Sequence, residues 1–421
     1  MPAGDTLTPP PIPLERAAVS RLRVLRIDSA PAESLRSRGL MSLVGLVSQS
    51  AARFLTNWIA GRVGGPIALG QISVALSSVQ LLTLLGPTSA GAAASRYLAA
   101  AVGDGDLAAS RALARHLWSR AAITGGVLAV AGALIWGVQF GGSLSESATV
   151  GFLVLALTGY TLARGTFFGH RHVVVGGWWD LGCALAAVLG VTSMLVAGVH
   201  SVLALLPLGV MWLLYTWAGW PRGQCGRLDA DRRHEVDRFV VVSALGTVAS
   251  AGFVQASQVA ARVVGGEEGA GHYSAAFTLA VPLSILVGAA NQVLFPSMAE
   301  AVGRGDDASV HRQLHQATMA VTALAGGAIG ALVVASGSVV ELVWGERFAA
   351  AKELLPVLLF GVLANAVAVP AISAQVVRGV AGNRAMTLFS WCGVGTGVLV
   401  WALTAPTWGV DGIAVGFLAS G

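Results

Sequence analysis

Long apolar stretches separated by short polar ones dominate this chain. At about 20 residues per crossing of a ~30 Å hydrocarbon core, they predict spans near 41–61, 69–98, 114–140, 148–169, 173–197 and 200–220. A charged connector, PRGQCGRLDADRRHEVDR (221–238), follows. A second set lies near 239–261, 270–298, 314–340, 352–377, 385–404 and 409 to the end. Phe239 to Ala261 carries no charge at all. The last segment, GVDGIAVGFLASG, offers about ten apolar positions, or ~15 Å of helix, too short to cross. Either the chain stops inside its twelfth span, which is the favoured expectation, or it ends in a half-helix.

The polar phrases repeat. AAAVGDGDLAASRALARH (99–116) returns as AEAVGRGDDASVHRQLHQ (299–316). GRVGGPIALGQISVAL (61–76) matches ARVVGGEEGAGHYSAAF (261–277) after one inserted residue, pairing Arg62 with Arg262, Gly70 with Gly271 and Ser73 with Ser274. A near-constant offset across loop, helix and loop predicts two homologous six-helix lobes. Asp104 becomes Arg304 in the second copy, an exchange no divalent site tolerates at a ligand. The shared Gly, Gly and Asp (Asp106 and Asp306) are turn formers and helix N-caps. The phrase is a turn between membrane helices.

Composition fixes the environment. Of 421 residues 55% are hydrophobic and 11% charged, against roughly 25% charged in soluble domains. The expected fold is therefore all-α: a polytopic membrane protein of about twelve transmembrane helices in two parallel lobes around a central cavity. The layout is a disordered basic tail (1–40), an N-terminal lobe (41–220), the connector (221–238) and a C-terminal lobe (239–421). The net charge of +5 is not a nucleic-acid signal once its carriers are placed. Lys352 is the sole lysine, and the arginines gather in particular loops. The tail carries Arg16, Arg21, Arg23, Arg26, Arg36 and Arg38, and the connector Arg222, Arg227, Arg232, Arg233 and Arg238. If every span crosses, these share a side with Arg96, Arg111, Arg115, Arg120, Arg164, Arg171, Arg304, Arg312, Arg378 and Arg384. The other side receives Arg62, Arg262, Arg347 and Lys352. The positive-inside rule then puts the N terminus and connector in the cytoplasm, in a cytoplasmic membrane. Both copies of the repeated loop fall on that side, so the lobes are oriented alike, about an axis along the membrane normal. No uninterrupted apolar core precedes residue 40, which speaks against a cleaved signal peptide. Cys183, Cys225 and Cys392 have no metal-site spacing and read as small buried or loop residues.

Within the second lobe, ARVVGGEEGAGHYSAAFTLAVPLSILVGAANQVLFPSMAEAVGRGD (261–306) resembles the polysaccharide flippase branch of the multidrug/oligosaccharidyl-lipid/polysaccharide exporter superfamily. There an Arg-x-x-Gly segment, a Gly-x-Tyr-Ser-Ala-Ala helix start and a Phe-Pro-x-x-Ala loop recur in this order. VWGERFAAAKELLPVLLFGVLANAV (343–367) and GVDGIAVG (409–416) are similar to its turns before the tenth and twelfth helices. The resemblance covers roughly 41–421 and is stronger in the second lobe. It implies twelve to fourteen helices in two bundles around a cavity open to one side at a time. It implies an undecaprenyl-diphosphate-linked oligosaccharide or comparable lipid-linked glycan as cargo. It also implies no cofactor, no metal centre and no covalent chemistry, so not an enzyme; the partners are the lipid-linked glycan, membrane lipids and glycan-assembly proteins.

A diphosphate crossing apolar surroundings needs cations and amides facing a wet cavity, and a charge at membrane depth is costly. Arg53 lies twelve residues into the first span, ~18 Å along the helix. It is the candidate for bidentate capture of the diphosphate, with Asn57 one turn further on the same face. Pairing to helix carbonyls or a neighbouring acid is the structural alternative. Gln255, Gln258, Asn291, Gln292, Asn365 and Gln375 are lining candidates, with interhelical hydrogen bonding the structural alternative. Pro282 and Pro370 are candidate hinges. Arg164, His170, Arg171, His172 and Asp180 form a charged cluster at the cytoplasmic mouth, explained either by steering of an anionic headgroup or by the positive-inside rule. Two other functions compete. An ion-coupled multidrug antiporter needs acids deep in its spans, and Asp180 reads as lying near an end. A membrane glycosyltransferase or glycan polymerase needs a catalytic cluster and a sizeable external loop, and the external loops here are short.

Overall fold

The computed structural model describes residues 35–222, 228–304, 306–376 and 380–421. Residues 1–34 of the expected tail lie outside that range, whereas 35–40, expected to be disordered with it, form the start of the first helix. The described residues are helical and hold no strand. In chain order the helices are α1 (Leu35–Leu84), α2 (Pro87–Ala93), a π-helical turn (Ala94–Leu98), α3 (Ala99–Gly103), α4 (Leu107–Gln139), α5 (Leu144–Gly169), α6 (Val173–Val196) and α7 (Leu206–Ala218). The second lobe has α8 (Ala230–Thr247), a π-helical turn (Val248–Gly252), α9 (Phe253–Gly303), α10 (Asp307–Val334), α11 (Ser336–Trp344), α12 (Ala351–Val376), α13 (Val380–Trp408) and α14 (Val410–Ser420).

Two of these are hairpins rather than rods. α1 breaks at Gly65 (φ 74°, ψ −167°) and α9 at Gly266 (φ 65°, ψ −162°), a backbone region that only glycine enters without strain. Arg53 and Ser77, each twelve residues from Gly65, hydrogen-bond to one another, so the chain reverses there. Counting both arms of each hairpin gives ten helices long enough to cross, and the shorter apolar helices α7 and α14 bring the apolar helices to the twelve expected. The seventh begins at Ala230, earlier than the apolar pattern suggested, because the charged stretch after Asp229 continues the same helix. The ninth ends at Val334, and a separate short helix, α11, follows before the Gly345 turn (φ 86°).

The surface is that of a bilayer protein. α4 exposes Ile123, Val127, Val130 and Leu134 on one stripe and buries Leu117, Ala121, Gly125, Ala129, Gly132 and Trp136 on another. In water the outer stripe would be charged; here lipid solvates it. Asp106 and Asp306 cap α4 and α10, accepting from the backbone of Ala109 at 2.8 Å and Ser309 at 2.9 Å. The repeated polar phrase is a turn and a cap, as expected.

The second arms of α1 and α9 cross backbone to backbone. A methyl group on Gly70 would sit 2.0 Å from the Glu267 carbonyl oxygen, and one on Gly271 the same distance from that of Pro66. One turn on, the hydroxyls of Ser73 and Ser274 are 2.6 Å apart. Equivalent residues thus meet at one offset at two successive levels. That is the geometry of two arms running in the same direction about a shared axis, so the lobes are parallel. Gly271→Ala is expected to cost on the order of 1–3 kcal/mol and lower the thermal unfolding midpoint in detergent by several degrees. Gly246→Ala, whose methyl group meets open space, leaves it unchanged or slightly raised. A native-like melt for Gly271→Ala would show that the arms are not held this closely.

Candidate binding site at the seam of the lobes

The hairpin at Gly65 folds the two arms of α1 so that Arg53 faces Ser77 and Gln80, and α9 brings Gln255 from the other lobe. The Arg53 guanidinium donates to Gln80 Oε1 through Nη1, and to Ser77 Oγ and Gln255 Oε1 at 3.3 Å through Nη2. It is half-buried. Each of these partners is neutral. They solvate the guanidinium without cancelling its charge, an arrangement that leaves a cation at membrane depth.

One turn along, buried Asn57 donates from Nδ2 to Thr278 Oγ1 of the second lobe at 3.1 Å, while its Oδ1 has no partner. Gln258, one turn beyond Gln255, is 1% exposed, and its Nε2 has no partner. The structure therefore brings Arg53, Asn57 and Gln255 into one polar seam and places Gln258 a turn from Gln255 on the same helix. It adds three residues that the sequence did not single out: Ser77, Gln80 and Thr278. Ser77 and Gln80 were visible in principle, because a reversal at Gly65 sets positions near 77 opposite 53.

The other candidates stand apart. Asn365 bonds within its own helix, Nδ2 to Gly361 O at 3.2 Å, and faces the end of α14, where a methyl group on Gly421 would be 2.9 Å from it. Gln375 is exposed. The side chains of Asn291 and Gln292 lie outside the described residues. Pro282 is exposed within α9, and Pro370 is buried within α12.

The charged cluster expected at the arginine-rich mouth separates into distinct pieces. Asp180 is not at the mouth: it is 1% exposed, seven residues into α6, or ~10 Å along it. Both carboxylate oxygens are taken, Oδ1 by the Tyr160 hydroxyl at 2.7 Å and Oδ2 by Arg164 Nε at 3.2 Å. The first arm of α1 packs on this pair at Gly45, where a methyl group would be 2.6 Å from Asp180 Oδ2. The sequence could not show this, because a residue at a predicted boundary carries no sign of which neighbour closes over it. His170 is also buried, with Nε2 3.1 Å from Ser110 Oγ and Nδ1 3.0 Å from Thr166 O. A neutral ring that donates from Nδ1 and accepts at Nε2 satisfies both. Arg171 sits half-buried between His170 and His172 with φ 61°, unusual for a residue other than glycine. Among the described residues no cluster of three or more His, Cys, Asp or Glu could hold a metal ion.

Burial pushes His170 down from 6.5 to about 4, and His172 below its ordinary value. The unfolded chain binds a proton at His170 that the folded chain refuses, so this stability is complete above pH 6.5 and is lost as pH falls toward 4. The thermal midpoint is expected to fall between pH 7.5 and pH 5, and His170→Gln should flatten part of that slope. An unchanged slope in that variant would contradict a buried neutral His170.

No family model matches the chain, and no curated protein does. Solved structures do. An inward-facing MATE-family multidrug resistance transporter of the MOP superfamily aligns over 96% of this chain and 94% of its own, with TM-score 0.66 and 12% identity. The lipid II flippase MurJ, in an inward closed conformation, aligns over 90% of this chain and 85% of its own, with TM-score 0.70 and 10% identity. A MOP superfamily transporter from Pyrococcus furiosus aligns over 94% of each chain, with TM-score 0.58 and 11% identity. At these identities the likeness is one of fold, and the fold is that of the MATE-like transporters.

Proposed function

We propose that the chain flips a lipid-linked oligosaccharide or polysaccharide precursor across the cytoplasmic membrane, its two lobes alternating in access around the Arg53 seam. The single observation that carries this reading is Arg53 itself: a guanidinium between the lobes whose hydrogen-bond partners, Gln80, Ser77 and Gln255, are all neutral. A diphosphate offers such a group the bidentate, charged acceptor that amides do not. The lipid tail would stay in the bilayer beside the lobes while the headgroup crosses. The protein does no covalent chemistry in this scheme. The arginine-rich loops face the cytoplasm, and glycan-assembly proteins supply the cargo there. The MurJ neighbour, described as a lipid II flippase, supports a lipid-linked substrate for this fold.

A second reading, an ion-coupled multidrug antiporter, draws on Asp180, an acid inside a span after all. Its engagement by Arg164 and Tyr160 sets it against an exchangeable role.

The test uses reconstituted vesicles and a fluorescent undecaprenyl-diphosphate oligosaccharide. Losing the charge-assisted contacts of Arg53, at about 1.5–3 kcal/mol each, should slow transfer by Arg53→Ala at least ~10-fold. Arg53→Lys keeps part of the rate. Native transfer by Arg53→Ala removes the residue from the mechanism. Proton-driven efflux of organic cations that Asp180→Asn abolishes would favour the antiporter.

A further inference from the structure

The repeat pairs Arg62 with Arg262 at the arginine-poor ends of the two hairpins, where the positive-inside rule has no use for either. Each reaches the opposite lobe. Arg62 donates from Nη2 to the Leu342 carbonyl, near the C-terminus of α11. Beside it Trp58 Nε1 donates to Val343 O at 3.1 Å. Gly61 lies against the Trp344 ring, where a methyl group would be 2.5 Å from the indole. The carbonyls at a helix C-terminus lack intrahelical donors and carry partial negative charge, so a cation there is well placed. Arg262 crosses the other way. Its guanidinium lies 4.6 Å from the ring centroids of both Trp136 and Phe140, at the end of α4. Its Nη2 pairs with Glu267 at 2.8 Å, and Glu267 also accepts from Gln71 of the first lobe at 2.8 Å. Arg62 is exposed, whereas Arg262 is 7% exposed.

We propose that Arg62 and Arg262 are the two arms of a clasp that seals the arginine-poor end over the Ser73–Ser274 contact, and that the arms differ in kind. The Arg62 arm is a hydrogen-bond hook on one main-chain oxygen, that of Leu342. The Arg262 arm is a planar plug laid against two packed aromatic rings, Trp136 and Phe140, and held by an ion pair. Opening toward this end requires both to let go, so the clasp sets how much of the population faces that way. The proposal deepens the alternating-access reading and rests on it, but its readout needs no cargo.

The hook accepts any cation that reaches the Leu342 carbonyl; the plug needs a flat one. Take a variant with Ser73→Cys and the native cysteines replaced (Cys183→Ala, Cys225→Ser, Cys392→Ser). In lipid nanodiscs, where a soluble thiol reagent reaches both ends, Cys at 73 should label slowly, since Ser73 is fully buried. Adding Arg62→Ala or Arg262→Ala should raise the rate roughly tenfold, as a minor open state becomes more populated. Arg62→Lys should keep the slow rate, and Arg262→Lys should behave as Arg262→Ala. Phe140→Leu, which thins the plug from the other lobe without touching the arginine, should also speed labelling and stands in if Arg262→Ala does not fold. Unchanged rates in both alanine variants, or in Phe140→Leu where Arg262→Ala fails, would overturn the clasp. Fast labelling in Arg62→Lys, or slow labelling in Arg262→Lys, would overturn the difference between its arms. A clasp that behaves as stated in a protein that moves no lipid-linked glycan would leave the gate standing and the cargo reading refuted.

Discussion

The close crossing of Gly70 and Gly271 governs the rest of the molecule. In a bilayer, lipid tails solvate an apolar helix face about as well as another helix does, so lobes are not driven together by hydrophobic burial. They must fit closely or hydrogen-bond. Bare glycine backbone lets the second arms of α1 and α9 approach to where Ser73 meets Ser274, and the polar seam follows. Arg53 can reach Gln255, and Asn57 can reach Thr278, because the two hairpins are already in contact. A side chain at either glycine pushes the lobes apart and stretches every polar contact between them.

Two arginines inside the same lobe show two solutions to one electrostatic problem. Arg164 meets Asp180 in a buried ion pair that Tyr160 completes, and the first arm of α1 closes over it through Gly45. Removing one partner of such a pair strands the other, at about 3–5 kcal/mol, which suits a fixed structural joint. Arg53 has amide and hydroxyl partners instead. Neutral acceptors hold a guanidinium in place and yield readily to a stronger anion. In the proposed function the first arginine stays paired and the second exchanges partners.

Much of this was legible in the chain. Apolar length found the spans, the recurring Gly-x-Gly-Asp phrase found the lobes, and the same phrase capped α4 and α10 through Asp106 and Asp306. The parallel orientation inferred from arginine placement agrees with the offset at which Gly70 and Ser73 meet Gly271 and Ser274. Other features were invisible for physical reasons. Asp180 sits near a predicted boundary, and nothing in its neighbourhood shows that Arg164 and Tyr160 close around it. Charge counting treats Arg62 and Arg262 as topology markers, yet each is a contact across the lobes whose partner lies some 120 to 280 positions away in sequence. The charged stretch after Asp229 gave no hydrophobic signal, and polar contacts to the first lobe anchor it: Asp237 pairs with Arg120 and hydrogen-bonds His116, and the Tyr97 hydroxyl donates to Glu235.

The central proposal is that two like-oriented lobes rock about a shared seam that senses an anion. Spin labels at Leu144 and Val334, exposed at the arginine-poor ends of the two lobes, and at Asp104 and Asp307 in the arginine-rich loops report the two openings separately. With an undecaprenyl-diphosphate glycan added, the account predicts opposite shifts: one pair lengthens as the other shortens. Distances that stay fixed, or that move together, would contradict it.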